Sequence, residues 1–339
     1  MQRRSLAGTL GPLLASVPIT LFGLVLITFL IGRVVPIDPV IAVVGDHATE
    51  AQIIQARHAM GLDQPLPMQF VHYIGELAQG DLGHSVMTSN SVTSDIARFF
   101  PATMELATAA ILLAAAVGIP LGVWGAVRRG TWIDQAIRVF CLAGWSVPVF
   151  VLALVSLLVF YATLGWAPGP GRQDVVFQDM VPQVTGLLTV DALLAGDWDS
   201  FHDALAHLAL PALVLAVTNM AAIARMTRAF MLDALGGEYI VTARAKGLSA
   251  ARVIWRHAFA NIGVRLVTVL ALTYAGLLEG AVLTETVFSW PGIGQYLTGS
   301  LLNADMNAVL GATLVIGLTY VALNLVADLA YRLLDPRVR

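Results

Sequence analysis

Four carboxylates stand in or beside long uncharged stretches of this sequence: Glu105, Glu279, Glu285 and Asp328. An ionised group in hydrocarbon costs roughly 2.5–3.5 kcal/mol on insertion scales, so each acid must be paired, placed at an edge or used. Glu105 and Glu285 fall near the ends of apolar stretches, where snorkelling or capping would satisfy them. Asp328 lies one turn before Tyr331 and Arg332, which is suitable for a local ion pair. Glu279 is the deepest. It is read as pore-facing or interhelical, a counter-charge for a substrate ammonium.

The other reactive residue types point to no chemistry. Of the seven histidines, His47, His58, His72, His84, His202, His207 and His257, none lies in mid-bilayer, which argues against a haem held between transmembrane histidines. His202 and His207 are five residues apart and do not share a helical face as a zinc pair would. The four histidines of the first loop are read as scattered surface residues. A single cysteine, Cys141, leaves no intramolecular disulfide and no thiolate cluster. There is no Gly-x4-Gly-Lys-Ser/Thr phosphate loop, no nucleophile elbow and no His-Glu-x-x-His. The chain is expected to hold no catalytic group, metal or cofactor.

What must position the acids is a membrane-embedded helical scaffold. The 339 residues are 58% hydrophobic and 12% charged, with net charge −3 and mean hydropathy +0.78. Soluble domains carry about 25% charged residues, so this composition excludes soluble, disordered and disulfide-rich classes, and no basic field for nucleic acid exists. A bilayer core needs about 20 apolar residues in a helix. Stretches meeting that need predict six spans: Ser5–Gly32, Leu106–Val127, Val139–Gly171, Ala204–Ala224, Leu266–Thr284 and Met306–Ala327. Arg3 and Arg4 precede a first apolar run too long for a signal peptide and followed by no small-residue cleavage site, so it reads as an anchor. With the N-terminus inside, cytoplasmic segments hold 15 of the 19 basic residues, which places both termini in the cytoplasm.

The first outer loop is long enough to carry its own structure. Ala48–Leu62 reads as a helix with Thr49 as cap and Gly61 as stop, and Met68–Leu77 as a second, closed by Gly80-Asp81-Leu82-Gly83. Between the fourth and fifth spans, Gly236 and Gly237 break the emerging helix. A short helix then runs from Glu238 to Lys246, with Glu238 favourable at its positive end and Gly247 as a left-handed stop. Ser249 is placed to cap a following helix, Ala250–Ala260. Tyr239, Ala243 and Gly247 form a stripe that would let another surface approach closely. Trp290-Pro291-Gly292-Ile293-Gly294 reads as either an interfacial turn with an aromatic anchor or a loop near the outer gate.

Several contiguous motifs carry a resemblance. They are Glu238-Tyr239-Ile240-Val241-Thr242-Ala243-Arg244-Ala245-Lys246-Gly247-Leu248-Ser249 with Arg256-His257-Ala258-Phe259 and Asn261, then Glu285-Thr286-Val287-Phe288-Ser289-Trp290-Pro291-Gly292-Ile293-Gly294, and the terminal Leu334-Asp335-Pro336-Arg337-Val338-Arg339. Upstream, Gly61-Leu62-Asp63-Gln64-Pro65-Leu66-Pro67 adds to them. The chain resembles the B-type permease subunit of the dipeptide/oligopeptide/nickel ATP-binding-cassette (ABC) importers over nearly its whole length. Val241 stands where many permeases have Glu, and Arg265 where relatives commonly have Pro.

The resemblance implies an all-α permease with six transmembrane helices, a type I importer fold, a large first extracytoplasmic loop and a cytoplasmic coupling helix at about 237–248. Residues 1–34 would hold the N-terminal segment and first span, 35–100 the outer loop domain, 101–334 the permease core and 335–339 a cytoplasmic tail. Glu238, Tyr239, Thr242, Ala243, Arg244, Ala245, Lys246 and Gly247 would form the ATPase-subunit interface, and Glu279, Trp290 and Pro291 the substrate path or gate. Implied partners are a homologous permease, two ATP-binding subunits that hold the ATP and Mg, and an extracytoplasmic solute-binding protein, all at the bacterial cytoplasmic membrane. Peptides are the implied substrate class, with nickel, glutathione or opine-like solutes as alternatives. A secondary transporter driven by an ion gradient is the rival from another class. It would require charges converging at mid-membrane, where only Glu279 comes close.

Overall fold

The computed structural model describes residues 6–34, 40, 44–45, 48–59 and 61–334, leaving aside the side chains of residues 6–16, 34, 145, 279 and 330–334. The helices are α1 Leu6–Val34, α2 Glu50–Ala59, α3 Leu66–Ala78, α4 Val92–Val127, α5 Trp132–Ser146, α6 Val149–Ser156, α7 Leu188–Ala195, α8 Trp198–Leu235, α9 Glu238–Ala245, α10 Ala260–Val287, α11 Ile293–Leu302 and α12 Met306–Leu334. Among the described residues the β-type pairing is one isolated bridge, His84 to Ser91. The fold is all-helical.

Four helices among the described residues are long and apolar enough to cross a membrane: Val92–Val127, Trp198–Leu235, Ala250–Leu278 and Met306–Leu329. These match the second, fourth, fifth and sixth expected stretches, although the fourth begins earlier and the fifth joins a helix expected to be separate. Asp197 explains the early start. Its carboxylate accepts from the Ser200 amide at 3.1 Å and the Ser200 hydroxyl at 2.6 Å, so α8 begins at Trp198, six residues before Ala204. Ser249 starts the fifth run as expected, but its hydroxyl accepts no capping bond, and the run passes through π-helical turns at Val253–Phe259 into α10.

The third stretch is not one rod. Helices α5 and α6 meet at a bend of 92°. Pro148 lacks an amide proton and disfavours helical geometry in the residue before it. Val147 accordingly adopts φ −91 and ψ 124. In α1 the side-chain description begins at Val17, and Val17–Arg33 forms a shorter apolar helix.

The chain divides into two compact units. One holds Met104–Trp290 and the chain from Ala322 onward; the other holds Ser5–Thr103 and Pro291–Val321.

In the first unit α8 is the central post. A Cβ on Gly118 of α4 would lie 2.9 Å from the Met220 carbonyl oxygen, and one on Gly122 would lie 2.6 Å from that of Ala224. This small-xxx-small pair lets the two backbones touch, the usual device where lipid supplies no hydrophobic drive between helices. Ala114, Ala216, Met220 and Ile223 fill the layer beside it. Cys141 is packed with Ile137, Ala221 and Ala224, as a small buried hydrophobe.

In the second unit α1 lies against α12. A Cβ on Gly317 would come 2.7 Å from the Leu24 side chain, and one on Gly32 would come 2.6 Å from that of Leu310. Phe29 holds α3 through Phe70, ring centroids 5.1 Å apart, and Tyr73 at 5.7 Å. The loop helices form where the sequence places them. The Thr49 amide donates to Gln52 Oε1 at 2.8 Å at the start of α2, and Gly61 ends that segment with φ +62.

Candidate functional site

Helix α9 is the candidate docking element. Gly237 caps it with ψ 147. Gly247 ends it with φ +75, its amide donating to the Arg244 carbonyl at 2.9 Å, while Leu248 N donates to Ala243 O at 3.3 Å. A left-handed residue there closes the helix as a Schellman-type stop, and glycine takes that conformation without a Cβ clash. The described helix is one residue shorter than expected, with Lys246 as its C-cap.

Two of its side chains hold it down. Ile240 is 1% exposed and Ala243 5%, packed with Val123, Ala126, Met231, Ala234, Val253, Ala258 and Ile262. The stripe expected to offer Tyr239, Ala243 and Gly247 together is therefore split: Ala243 turns inward and anchors the helix, while Tyr239 and Gly247 face out. The physical reason is that Ala243 lies three residues after Ile240 and so shares its apolar face. Glu238, Tyr239, Thr242, Arg244, Ala245, Lys246 and Gly247 are exposed. So is Val241, at 66%, which makes the outward face partly apolar.

A half-buried ion pair braces the same end of the unit. Arg228 Nε meets Asp134 Oδ1 at 2.7 Å and Arg228 Nη2 meets Oδ2 at 2.9 Å, joining α8 to the first turn of α5. The Gly130 amide donates to Asp134 Oδ2 at 3.0 Å. Charged and bidentate, this pair belongs to the strong class of hydrogen bonds.

A second knot surrounds Glu105, which is neither snorkelled nor a simple cap. Its Oε2 accepts from Arg172 Nη2 at 2.6 Å and Nε at 3.1 Å, and its Oε1 accepts from the Thr189 amide at 2.7 Å and hydroxyl at 2.6 Å. Arg172 Nη2 also donates to the Gly186 carbonyl at 2.8 Å, and its guanidinium lies 5.9 Å from the Trp290 ring centroid. Trp290 is 1% exposed, so it is packed protein rather than an aromatic anchor in lipid. Its amide donates to the Glu285 carbonyl at 2.8 Å. Pro291 is half-buried and Glu285 fully buried. The Glu279 side chain, and those of Tyr331 and Arg332 expected to face Asp328, lie outside the described residues.

Further carboxylates organise the loops. Burial would raise the Asp191 carboxyl, but the Thr185 hydroxyl and the amides of Val184, Thr185 and Gly186 outweigh it and hold the group below the usual range. In the other unit the Tyr296 hydroxyl donates to Asp95 Oδ2 at 3.1 Å. Burial first, then the Asp95 charge, pushes that phenol well above its ordinary value, so it stays a donor. Asp305 accepts from the Ser85 hydroxyl at 2.6 Å and the Met87 amide at 3.1 Å. Among the described residues no three His, Cys, Asp or Glu side chains converge as a metal group.

Sequence reasoning missed Asp134–Arg228 and Glu105–Arg172, whose partners are 94 and 67 residues apart. It also missed Gly118-Ile119-Pro120-Leu121-Gly122, whose glycine spacing was a usable signal.

The chain matches the family described as "Binding-protein-dependent transport system inner membrane component" over residues 118–339, and "Binding-prot-dependent transport system membrane comp, N-term" over residues 12–107. It is 43% identical over 321 residues to a di/tripeptide transport system permease protein of Pseudomonas aeruginosa, covering 94% of this chain and 95% of the relative. It is 44% identical over 316 residues to a probable D,D-dipeptide transport system permease protein of Escherichia coli, with 93% of each covered. A dipeptide transport system permease protein of Escherichia coli is 40% identical over 326 residues, with 94% and 95% covered. With its helical scaffold and long apolar helices, the chain belongs to the family of binding-protein-dependent transport system inner membrane components, multi-pass permeases of the inner membrane.

Proposed function

We propose that this chain is the permease subunit of an ATP-driven importer that carries dipeptides or oligopeptides, or a related small solute, across the bacterial cytoplasmic membrane. It has six spans, both termini in the cytoplasm, a loop domain at 35–100 and a permease core at 101–334. It pairs with a homologous permease, receives substrate from a solute-binding protein outside and is driven by two ATPase subunits that hold the ATP and magnesium. The observation carrying this reading is α9: a short helix with an exposed outward face, bounded by Gly237 and Gly247 and seated by Ile240 and Ala243 in the packing at the foot of α8. A handle fixed in this way transmits a push instead of rotating freely. Closure of the ATPase pair would move it as a rigid body and shift the permease between inward and outward states.

The outward face, Glu238, Tyr239, Thr242, Arg244, Ala245, Lys246 and Gly247, is the proposed contact, with exposed Val241 added to it. Glu279, Trp290 and Pro291 belong to the proposed substrate path or outer gate, Trp290 as a packed wall held beside Arg172. The test is co-purification and uptake. The complete importer should yield both ATPase subunits and a second permease, and take up labelled dipeptide only with ATP. Tyr239→Ala with Lys246→Glu should reduce ATPase recovery and uptake together. Undiminished uptake without ATPase subunits would overturn the reading in favour of an ion-driven carrier.

A further inference from the structure

We propose that a groove at the arginine-rich end of the first unit holds an anionic phospholipid, with an acyl chain along α4 and the phosphate among arginines. The groove has a volume of about 570 Å³ and is lined by apolar side chains, Val117, Trp124, Val127, Ile254 and Trp255 among them. Val127 and Ile254 also line a second cavity of about 290 Å³, whose charged lining residue is Arg244. The two cavities adjoin at Val127 and Ile254, and no acidic side chain lines either.

The surroundings add positive charge. Arg128 follows Trp124 by four residues and Arg252 precedes Trp255 by three, the spacings of same-face neighbours on a helix. Both arginines are exposed, and their side chains make no ion pair or hydrogen bond among the described residues. Trp124 and Trp255, each 51% exposed, are the residue type that settles at the membrane–water boundary. Ile254 and Trp255 sit on the π-helical turn Val253–Phe259, an irregularity often found at functional sites. Charge complementarity selects the occupant: a long apolar body ending in an anion fits the slot, and basic pockets between spans on the cytoplasmic side bind anionic headgroups.

The inference rests on the permease reading only in setting this end at a membrane boundary. Its test measures retained lipid without nucleotide or substrate, so the two can fail separately. The complete importer is placed in nanodiscs of equal phosphatidylglycerol and phosphatidylcholine, and the lipids kept on gentle release are counted by native mass spectrometry. Wild type should retain phosphatidylglycerol preferentially. R128Q/R252Q should lower that preference by about thirtyfold, R128K/R252K should keep it, and Val117→Trp, which fills the groove, should abolish retention of both lipids. Equal retention of the two lipids by wild type would overturn the proposal. So would an unchanged preference in R128Q/R252Q, or a loss in the lysine pair matching the loss in the glutamine pair. If Val117→Trp keeps phosphatidylglycerol but sheds the second permease, the groove is a protein interface and the proposal is wrong.

Discussion

Asp134 and Arg228 meet through two parallel contacts of 2.7 and 2.9 Å, with the Asp134 side chain 2% exposed. Removing Asp134 leaves the Arg228 guanidinium, 22% exposed, without its carboxylate, at a cost of up to about 3 kcal/mol. Asp134→Ala should therefore lower the thermal midpoint of the solubilised protein strongly. Asp134→Leu with Arg228→Leu should recover part of the loss, because neither charge then needs solvation. A double variant as unstable as the single would show that the pair acts through shape and not charge.

Gly122 and Gly276 should respond oppositely to the same substitution. An added methyl at Gly122 meets the Ala224 backbone oxygen at 2.6 Å, and a carbonyl in a helix cannot swing away. Gly122→Ala should cost about 1–3 kcal/mol through overpacking. At Gly276 nothing lies within 4 Å, so Gly276→Ala should be neutral or raise stability by about 0.5–1 kcal/mol through helix propensity. Thermal unfolding of the two variants side by side checks the contrast.

Helix α9 separates anchoring from contact. Ile240→Ala should lose about 2–5 kcal/mol, as for other buried aliphatic truncations, and weaken coupling to ATP hydrolysis as well. Tyr239→Ala, at a ring 42% exposed, should leave the unfolding free energy within about 0.5 kcal/mol of wild type while lowering uptake. A fall in stability at Tyr239 equal to that at Ile240 would refute the division.

Asp191 supplies a pH signature. Its folded-state value is depressed, so its stabilisation is present above the unfolded carboxylate value, about 3.9, and disappears as pH falls through the lower folded value. Protection of the Val184, Thr185 and Gly186 amides, taken relative to their intrinsic exchange rates at each pH, should hold from neutral pH down to the ordinary carboxylate range and fall only in stronger acid. Asp191→Asn should speed exchange of all three at neutral pH.

Local rules made much of this scaffold legible from sequence. Gly61 and Gly247 have the positive φ their positions called for, and Gly236 follows the last residue of α8. The long uncharged stretches became long helices because a chain in hydrocarbon must pair its own backbone. What resisted reading was relational. Ala243 reads the same whether it faces a partner or Ile240's neighbours, and only the packing decides. Glu105 looked like an edge residue because its cation, Arg172, comes from a loop with no periodicity. Before Pro148, Val147 leaves helical geometry and the uncharged stretch breaks, which the absence of charge alone does not show.

At 38 residues, α8 is about 57 Å long, far more than the roughly 30 Å of hydrocarbon it needs to cross. The surplus turns a membrane span into a crankshaft. Its head is clasped by Asp197, its waist is bound to α4 at Gly118 and Gly122, and its foot is splinted by Arg228. In the proposed importer, a displacement delivered at the socket of Ile240 and Ala243 would have little slack to vanish into before it reached the far end.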